Sequence, residues 1–500
     1  MTIDQHPAQT TPADPEAVDP AEADPADPGP GGMGPGIVFP PPRGPKVHNG
    51  RPGRRGWLKV RREGAPTTTR QAEVLNTAII GSPGDERGVV IGTDRLSAGL
   101  LAHDQFTAYE AGTITSPNVC ALGMVGAGKS ALIKTVYVER PLLLRRRRAV
   151  VVDKKLRGGE GEYAELTRRF GAEPFRFDPD DPAGSTCMNV LDPVILAGGG
   201  PAAQRQLLSA VAELAGDGAL DEWHHAALDQ AYRATMHRFE DARRVPVIPD
   251  LIDQIPAVVN APEFQGLRPA TLDLIERAAW SLRFRLQRLL ADDLAGMFDR
   301  ETSKHVVLHP KLTTFDVSAL PEDGPSTAMV MVVANAWLMG MLTHDPGWRT
   351  NFIAEEGWHL LVGPGGRFTR SKSKLARGLG LGLVSALHHI SDIPPGSEAI
   401  AMIKEAQTIH LFRQEHDDDI ADCVRYFNLE RSNAAALGTL PQGDHLLKIG
   451  THKEIRVQHR RTRKEIDFTA TDSAMLPPST TPQGQEQDTV QGKDTAGVPA

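Results

Sequence analysis

The chain runs to 500 residues, 40% hydrophobic and 24% charged, enough for about two to three folding units with a sizeable core. A formal charge of −8 at pH 7 excludes a surface that is basic all round and coats nucleic acid, though not a local basic groove. Cys120, Cys187 and Cys423 are too scattered for a disulfide framework or zinc spacing, so a reducing cytoplasm is the expected compartment.

Residues 1–40 hold nine prolines and seven acidic residues with no Lys or Arg, a composition that cannot bury enough apolar surface to offset its ordering entropy. The sign reverses over 41–70, with nine Lys/Arg against Glu63. Residues 1–75 are therefore expected to form a disordered arm. Its basic half reads either as an arm for nucleic acid, anionic lipid or an acidic partner, or as a solvated linker. No signal peptide is expected at the N-terminus.

Strand-length apolar runs then recur at Asn118–Leu122, Ala149–Val152, Thr313–Val317, Asn351–Ala354, Gly382–Leu387, Thr408–Phe412 and His445–Ile449. Helical patterns separate several of them, which predicts a mostly parallel sheet with flanking helices. From Ala202 to about Phe298 the period is helical throughout, with stripes such as Leu207, Leu208, Val211 and Leu282, Leu286, Leu289. The expected organisation is an α/β domain in two parts, 76–194 and 301–475, with an all-α subdomain inserted over 195–300. A disordered tail is expected over 476–500. The apolar stretch Ala328–Leu342 falls short of the ~20 residues that span a bilayer and reads as a buried helix. No intrinsic transmembrane segment is expected. The four-arginine run Arg145–Arg148 reads as a solvated or partner-facing patch, and Arg460, Arg461, Arg463 and Lys464 as the rim of a charged edge strand.

The motif with most chemical content is Gly123-Met124-Val125-Gly126-Ala127-Gly128-Lys129-Ser130, which has the spacing G-x-x-x-x-G-K-[ST] between a strand-like run and a helical stretch starting at Ala131. Glycines here let backbone N–H groups close around phosphates, and the helix N-terminus adds a favourable dipole. The expected nucleotide contacts are Gly123, Val125, Gly126, Ala127, Gly128, Lys129, Ser130 and Ala131. Lys129 would reach the β- and γ-phosphates, and Ser130 would ligate Mg²⁺. The run Asn351–Ala354 leads into Glu355-Glu356. In a hydrolase of this kind the first acid holds the metal shell and the second polarises the attacking water, whereas the bland reading is a solvated loop. No N-K-x-D guanine motif is found, so ATP is expected rather than GTP.

These residues resemble the conjugative-transfer ATPases of type IV secretion systems (the TraC/TrbE-like class), within the HerA–FtsK motor superfamily. Ile91-Gly92-Thr93-Asp94, Asp104-Gln105-Phe106 and Ser116-Pro117-Asn118 resemble the family's lead-in to the phosphate loop. Asp153 with Gly161-Glu162-Tyr163 is similar to its D-x-K-G-E-Y segment at longer spacing, and Asn189-Val190-Leu191-Asp192-Pro193 to N-P-L-D. Glu355-Glu356-Gly357-Trp358 resembles D-E-A-W. Arg377-Gly378-Leu379-Gly380, followed by Ala386 to Asp392, resembles R-x-x-G … A-T-Q-x-x-S-D. The resemblance implies a RecA-like ATPase fold, turnover of Mg·ATP, a homo-hexameric ring, membrane-embedded channel partners and a place at the cytoplasmic face of the membrane. It also implies an arginine acting on the neighbouring subunit, for which Arg377 and Arg413 are the candidates.

Three departures from the family pattern stand out. Glu355 replaces the usual metal-shell aspartate, His388 replaces the usual glutamine near the γ-phosphate, and only about 75 residues precede the motor. Three functions remain open at this point: a secretion motor, a DNA-translocating pump, and a nucleotide-binding scaffold with little turnover.

Overall fold

In the computed structural model the described residues are 87–216, 218–321, 324–355, 367, 377–390 and 398–469. The expected arm over 1–75 and tail over 476–500 lie outside them, as does Glu356.

Thirteen strands are described: β1 (Val89–Asp94), β2 (Leu100–His103), β3 (Val119–Leu122), β4 (Arg147–Asp153), β5 (Leu156–Arg157), β6 (Glu160–Gly161), β7 (Phe175–Arg176), β8 (Leu312–Asp316), β9 (Arg349–Glu355), β10 (Leu381–Leu387), β11 (Thr408–Leu411), β12 (Asp444–Ile449) and β13 (Ile455–His459). Eleven form one sheet in the order β2-β1-β13-β12-β11-β3-β10-β9-β4-β8-β7, while β5 and β6 make a separate hairpin. Every pairing from β11 to β7 is parallel. Every pairing from β11 out to β2 is antiparallel. All seven apolar runs picked out in the sequence are strands of this sheet, and the α/β expectation holds.

Parallel strands need crossovers, and crossovers place helices on both faces. Side-chain alternation then sends neighbouring residues into two different cores. On β3, Cys120 and Leu122 join the larger apolar cluster while Val119 and Ala121 join the other. On β4, Val150 and Val152 divide from Ala149 and Val151 in the same way. All three cysteines are buried and unpaired.

Between β7 and β8 the chain forms helices Pro193–Ala197, Gly200–Ala215, Glu222–Arg238, Ile248–Gln254 and Pro269–Gln287. Their inward stripes (Leu207, Leu208, Val211; Leu282, Leu286, Leu289) belong to the same apolar cluster as one face of the sheet. The helical segment is thus packed into that core. The helix Ser326–His344 lies in the same cluster, buried almost all round, as its uniform apolarity predicts.

Two charge runs differ from expectation. Arg148 is only 2% exposed; its guanidinium bonds Asp345 at 3.0 Å and Thr350 Oγ1 at 2.9 Å, while Arg147 pairs with Asp104. A solvated patch describes Arg145 and Arg146, which are exposed, but not these two, because β4 carries both into the sheet. Strand β13 lies between β12 and β1, so the basic stretch after it flanks an interior strand rather than an edge.

Candidate nucleotide site

The sheet's order brings three strand ends together. β3 delivers the loop starting at Gly123, β10 beside it delivers His388, and β9 beyond β10 delivers Glu355. Gly123 has φ 152°, and a Cβ there would lie 2.6 Å from Phe412 Cβ, so a side chain is excluded on both counts. Gly128 has φ 111° and opens the helix Lys129–Leu132, which continues as a π-helical stretch over Ile133–Glu139.

Lys129 is buried and folds back on its own loop. Its Nζ donates to the carbonyl of Gly123, to that of Met124 at 2.9 Å, and to His388 Nδ1 at 3.1 Å. An ammonium has no lone pair, so Nδ1 is the acceptor in that contact.

Glu355 is 3% exposed. The Tyr163 hydroxyl donates to its Oε1. Lys155 Nζ lies 3.4 Å from its Oε2 and 3.0 Å from Ser130 Oγ, so one ammonium bridges the loop hydroxyl and the strand-end carboxylate. Burial pushes the Glu355 carboxyl up. The charges of Lys155 and Lys134, with hydrogen bonds from Tyr163 and Ser130, outweigh it and hold the group below its ordinary value. Glu355 is therefore a carboxylate at neutral pH.

The segment 153–163 is itself anchored. Asp153 Oδ2 accepts the Tyr163 amide at 2.7 Å, and Asp316 Oδ2 accepts that of Gly161 at 2.9 Å. Burial drives the Asp153 carboxyl well up against the lowering effect of that amide bond, and the nearby charges of Asp316, Glu355 and Glu162 push the same way. Lys134 and Glu162 form an ion pair at 3.0 Å, both almost fully buried.

Lys129, Ser130, Lys155, Glu162, Glu355 and His388 line a cleft of about 930 Å³ whose other wall comes from β13 and the segments flanking the antiparallel strands, with Gln442, Gly443, Gln458 and Arg461. That wall touches the loop directly: Gln442 Nε2 donates to Gly126 O at 2.9 Å, and Gly443 N to Ala127 O at 2.9 Å. Val125 and Gly126 are exposed at the loop's tip. Ser130 and Ala131 begin the helix on the cleft floor.

The two candidate arginines separate. Arg413 follows β11, is exposed, and places its Nε 2.9 Å from Met124 Sδ at the loop's rim. Arg377 precedes β10 and reaches the Thr115 carbonyl at 3.4 Å, at the end of the sheet away from the loop. At ~3.3 Å per residue along β10 it stands roughly 20 Å from its own chain's Lys129. Sequence reasoning did not single out Lys155 or assign Tyr163 and Gln442 a role. The legible signal for Lys155 was its place two residues beyond the strand-end Asp153.

No protein-family model matches the sequence, and no curated protein sequence matches it. Among solved structures the chain is similar to VirB4 of Thermoanaerobacter pseudethanolicus, with a TM-score of 0.56 and 21% identity, covering 77% of this chain and 100% of that one. The two share a fold. Similarity to the bacterial conjugative coupling protein TrwB is weaker, with a TM-score of 0.46, 15% identity, and 69% and 85% of the two chains covered. It is weaker still to the genome packaging NTPase B204 of Sulfolobus turreted icosahedral virus 2, at 0.32, 11%, 69% and 98%.

Proposed function

We propose that the chain is an ATP-hydrolysing motor that works as a ring and energises a conjugative type IV secretion machine, in its assembly or in substrate passage. The observation that carries the reading is the meeting of Lys129, Ser130 and Glu355 in one cleft, with an ammonium bridging the last two. The fold shared with VirB4 supports it.

The donor set fits a magnesium nucleotide. A hydroxyl and a buried carboxylate are hard oxygen donors, and the ammonium between them marks a position that attracts cations. Ser130 and Glu355 would hold Mg²⁺, which when bound neutralises charge on the β- and γ-phosphates. Lys129 would exchange the carbonyls of Gly123 and Met124 for phosphate oxygens. His388, already on Lys129, would then face the γ-phosphate. Glu356, next in sequence to Glu355, takes the role of polarising the attacking water. Arg413 or Arg377 would complete the site of a neighbouring subunit, and membrane-embedded channel proteins at the cytoplasmic face would be the partners.

Steady-state phosphate release by the purified chain tests this, with and without single- and double-stranded DNA. Lys129→Ala and Glu356→Gln are each expected to lower turnover by about 10²-fold or more. Strong stimulation by DNA would move the reading to a DNA-translocating pump. Tight ATP binding with turnover no faster than that of Glu356→Gln would leave a nucleotide-binding scaffold, the reading that the Glu355 and His388 replacements favour.

A further inference from the structure

We propose that Lys155 is a resident cation at the metal position: its ammonium holds Ser130 and Glu355 together in the nucleotide-free chain and must leave before a metal–nucleotide complex can seat. The inference rests on the nucleotide site proposed above.

The geometry supplies the first argument. Lys155 Nζ sits 3.0 Å from Ser130 Oγ and 3.4 Å from Glu355 Oε2, the same two oxygens that a P-loop site offers to its divalent ion. A monovalent ammonium and a divalent cation cannot share one hydroxyl–carboxylate pair, because like charges at contact distance repel strongly in a partly buried site. Occupancy is therefore exclusive.

Burial supplies the second. The Glu355 side chain is 4% exposed and that of Lys155 is 34% exposed. The carboxylate is fixed, held on its other oxygen by Tyr163. The ammonium borders the open cleft and has somewhere to go. A buried carboxylate stripped of its cation is costly, so removing the lysine's charge should leave a site that seeks another cation.

The backbone around Lys155 supplies the third. Its amide bonds Asp153 Oδ1 at 3.3 Å, its carbonyl accepts the Glu162 amide at 3.0 Å, and the hairpin β5–β6 follows at once. With the main chain held at both groups, exchange needs only a swing of the side chain. Metal arrival would then release a positive charge into the cleft, where phosphate oxygens are the available acceptors.

The test is Mn²⁺ binding to the full chain without nucleotide, followed by electron paramagnetic resonance. Lys155→Met, and Lys155→Gln, which keeps a hydrogen-bonding group, are each expected to tighten Mn²⁺ binding roughly tenfold or more. Lys154→Met is the control, since Lys154 Nζ bonds the Leu320 and Pro321 carbonyls; it should leave Mn²⁺ affinity as in the native chain. Melting curves confirm that each variant is folded. Unchanged or weaker binding in both folded Lys155 variants overturns the inference, even where Glu355→Gln still abolishes Mn²⁺ binding in the presence of ATP. If the tightening survives addition of Glu355→Gln, the ion lies elsewhere, and the proposed nucleotide site falls with the inference.

Discussion

The parallel half of the sheet and its antiparallel wing are built on different terms. From β11 to β8 the strands are buried almost throughout, and β9 is buried over six of its seven residues. In the wing β12 is buried throughout, but the outer strands β13, β1 and β2 mix buried with exposed or half-buried positions, and Leu100 on β2 is 77% exposed. Strands buried on both sides take their stability from the two cores, whereas a one-faced strand draws on half as much packing. The cleft lies along the seam between them. The parallel half presents Lys129, Ser130, Glu355 and His388, and the wing bonds the loop through Gln442 and Gly443.

The sharpest way to break this comparison is to truncate one apolar side chain on each side, a buried ring in the parallel half and an outward-facing leucine in the wing. Phe315 on β8 packs its ring against Phe175 at 5.3 Å and Trp337 at 5.9 Å, with no exposure. Phe315→Ala is expected to cost about 3–5 kcal/mol in urea unfolding. Leu100→Ala in the wing should stay within about 0.5 kcal/mol. Equal losses would mean that the two regions are not packed differently.

The seam itself is expected to respond to acid. His410 on β11 and His445 on β12 face each other at 4.8 Å between ring centroids, both fully buried. Burial pushes His410 well below its ordinary value, helped by His445, His103 and His459, and pushes His445 down to about 4 against the raising effects of the Gly443 amide and Asp444. An unfolded imidazole takes up a proton near pH 6.5 and these do not. Their contribution is thus present above pH 6.5 and lost as pH falls, at about 1.4 kcal/mol per pH unit for each histidine until its folded value is reached. Unfolding free energy should drop by roughly 1–3 kcal/mol between pH 7.5 and 5.5. A flat profile would show that the seam opens to water before it titrates.

The smallest effect is the most local. Gln442→Ala removes one bond from wing to loop, that to the Gly126 carbonyl. Stability should hardly move, while the affinity for ATP is expected to change by about two- to fivefold, the worth of one exposed hydrogen bond. Isothermal titration with ATP measures it, and an affinity identical to that of the native chain would disconnect the wing from the loop.

The same contrast explains what could be read from the sequence. Continuous apolar runs such as Ala149–Val152 advertise strands buried on both faces, and all seven such runs are strands. Ile455–His459 does not, because Arg456 and Gln458 interrupt it and the pattern Ile-Arg-Val-Gln-His is too short to stand out. The two-residue strands β5, β6 and β7 carry no periodicity at all. Within the site, the loop's spacing and the strand-end Glu355 were legible because both are tied to local chain geometry. Lys155 carries only a positional hint, two residues beyond Asp153, since its role depends on β4 and β9 being neighbours, a fact of topology. Arg147 and Arg148 misled for the same reason: their partners, Asp104 and Asp345, are distant in sequence.

The helix Ser326–His344 has a consequence at the ribosome. The helix extends the apolar stretch Ala328–Leu342 at both ends, so that, unlike the stretch alone, it is long and apolar enough to cross a membrane by length and composition, yet it is almost wholly buried inside the fold. Phe352 and Ala354 on β9 and Leu381 and Leu387 on β10, which share its apolar cluster, come later in the chain. A growing polypeptide must therefore display this segment before its shelter has been made, and the machinery that sorts membrane spans meets a sequence that resembles its substrates. Asn335 at mid-helix and Gly340 five residues on are the polar and backbone-exposing positions that set this helix apart from a uniformly apolar span.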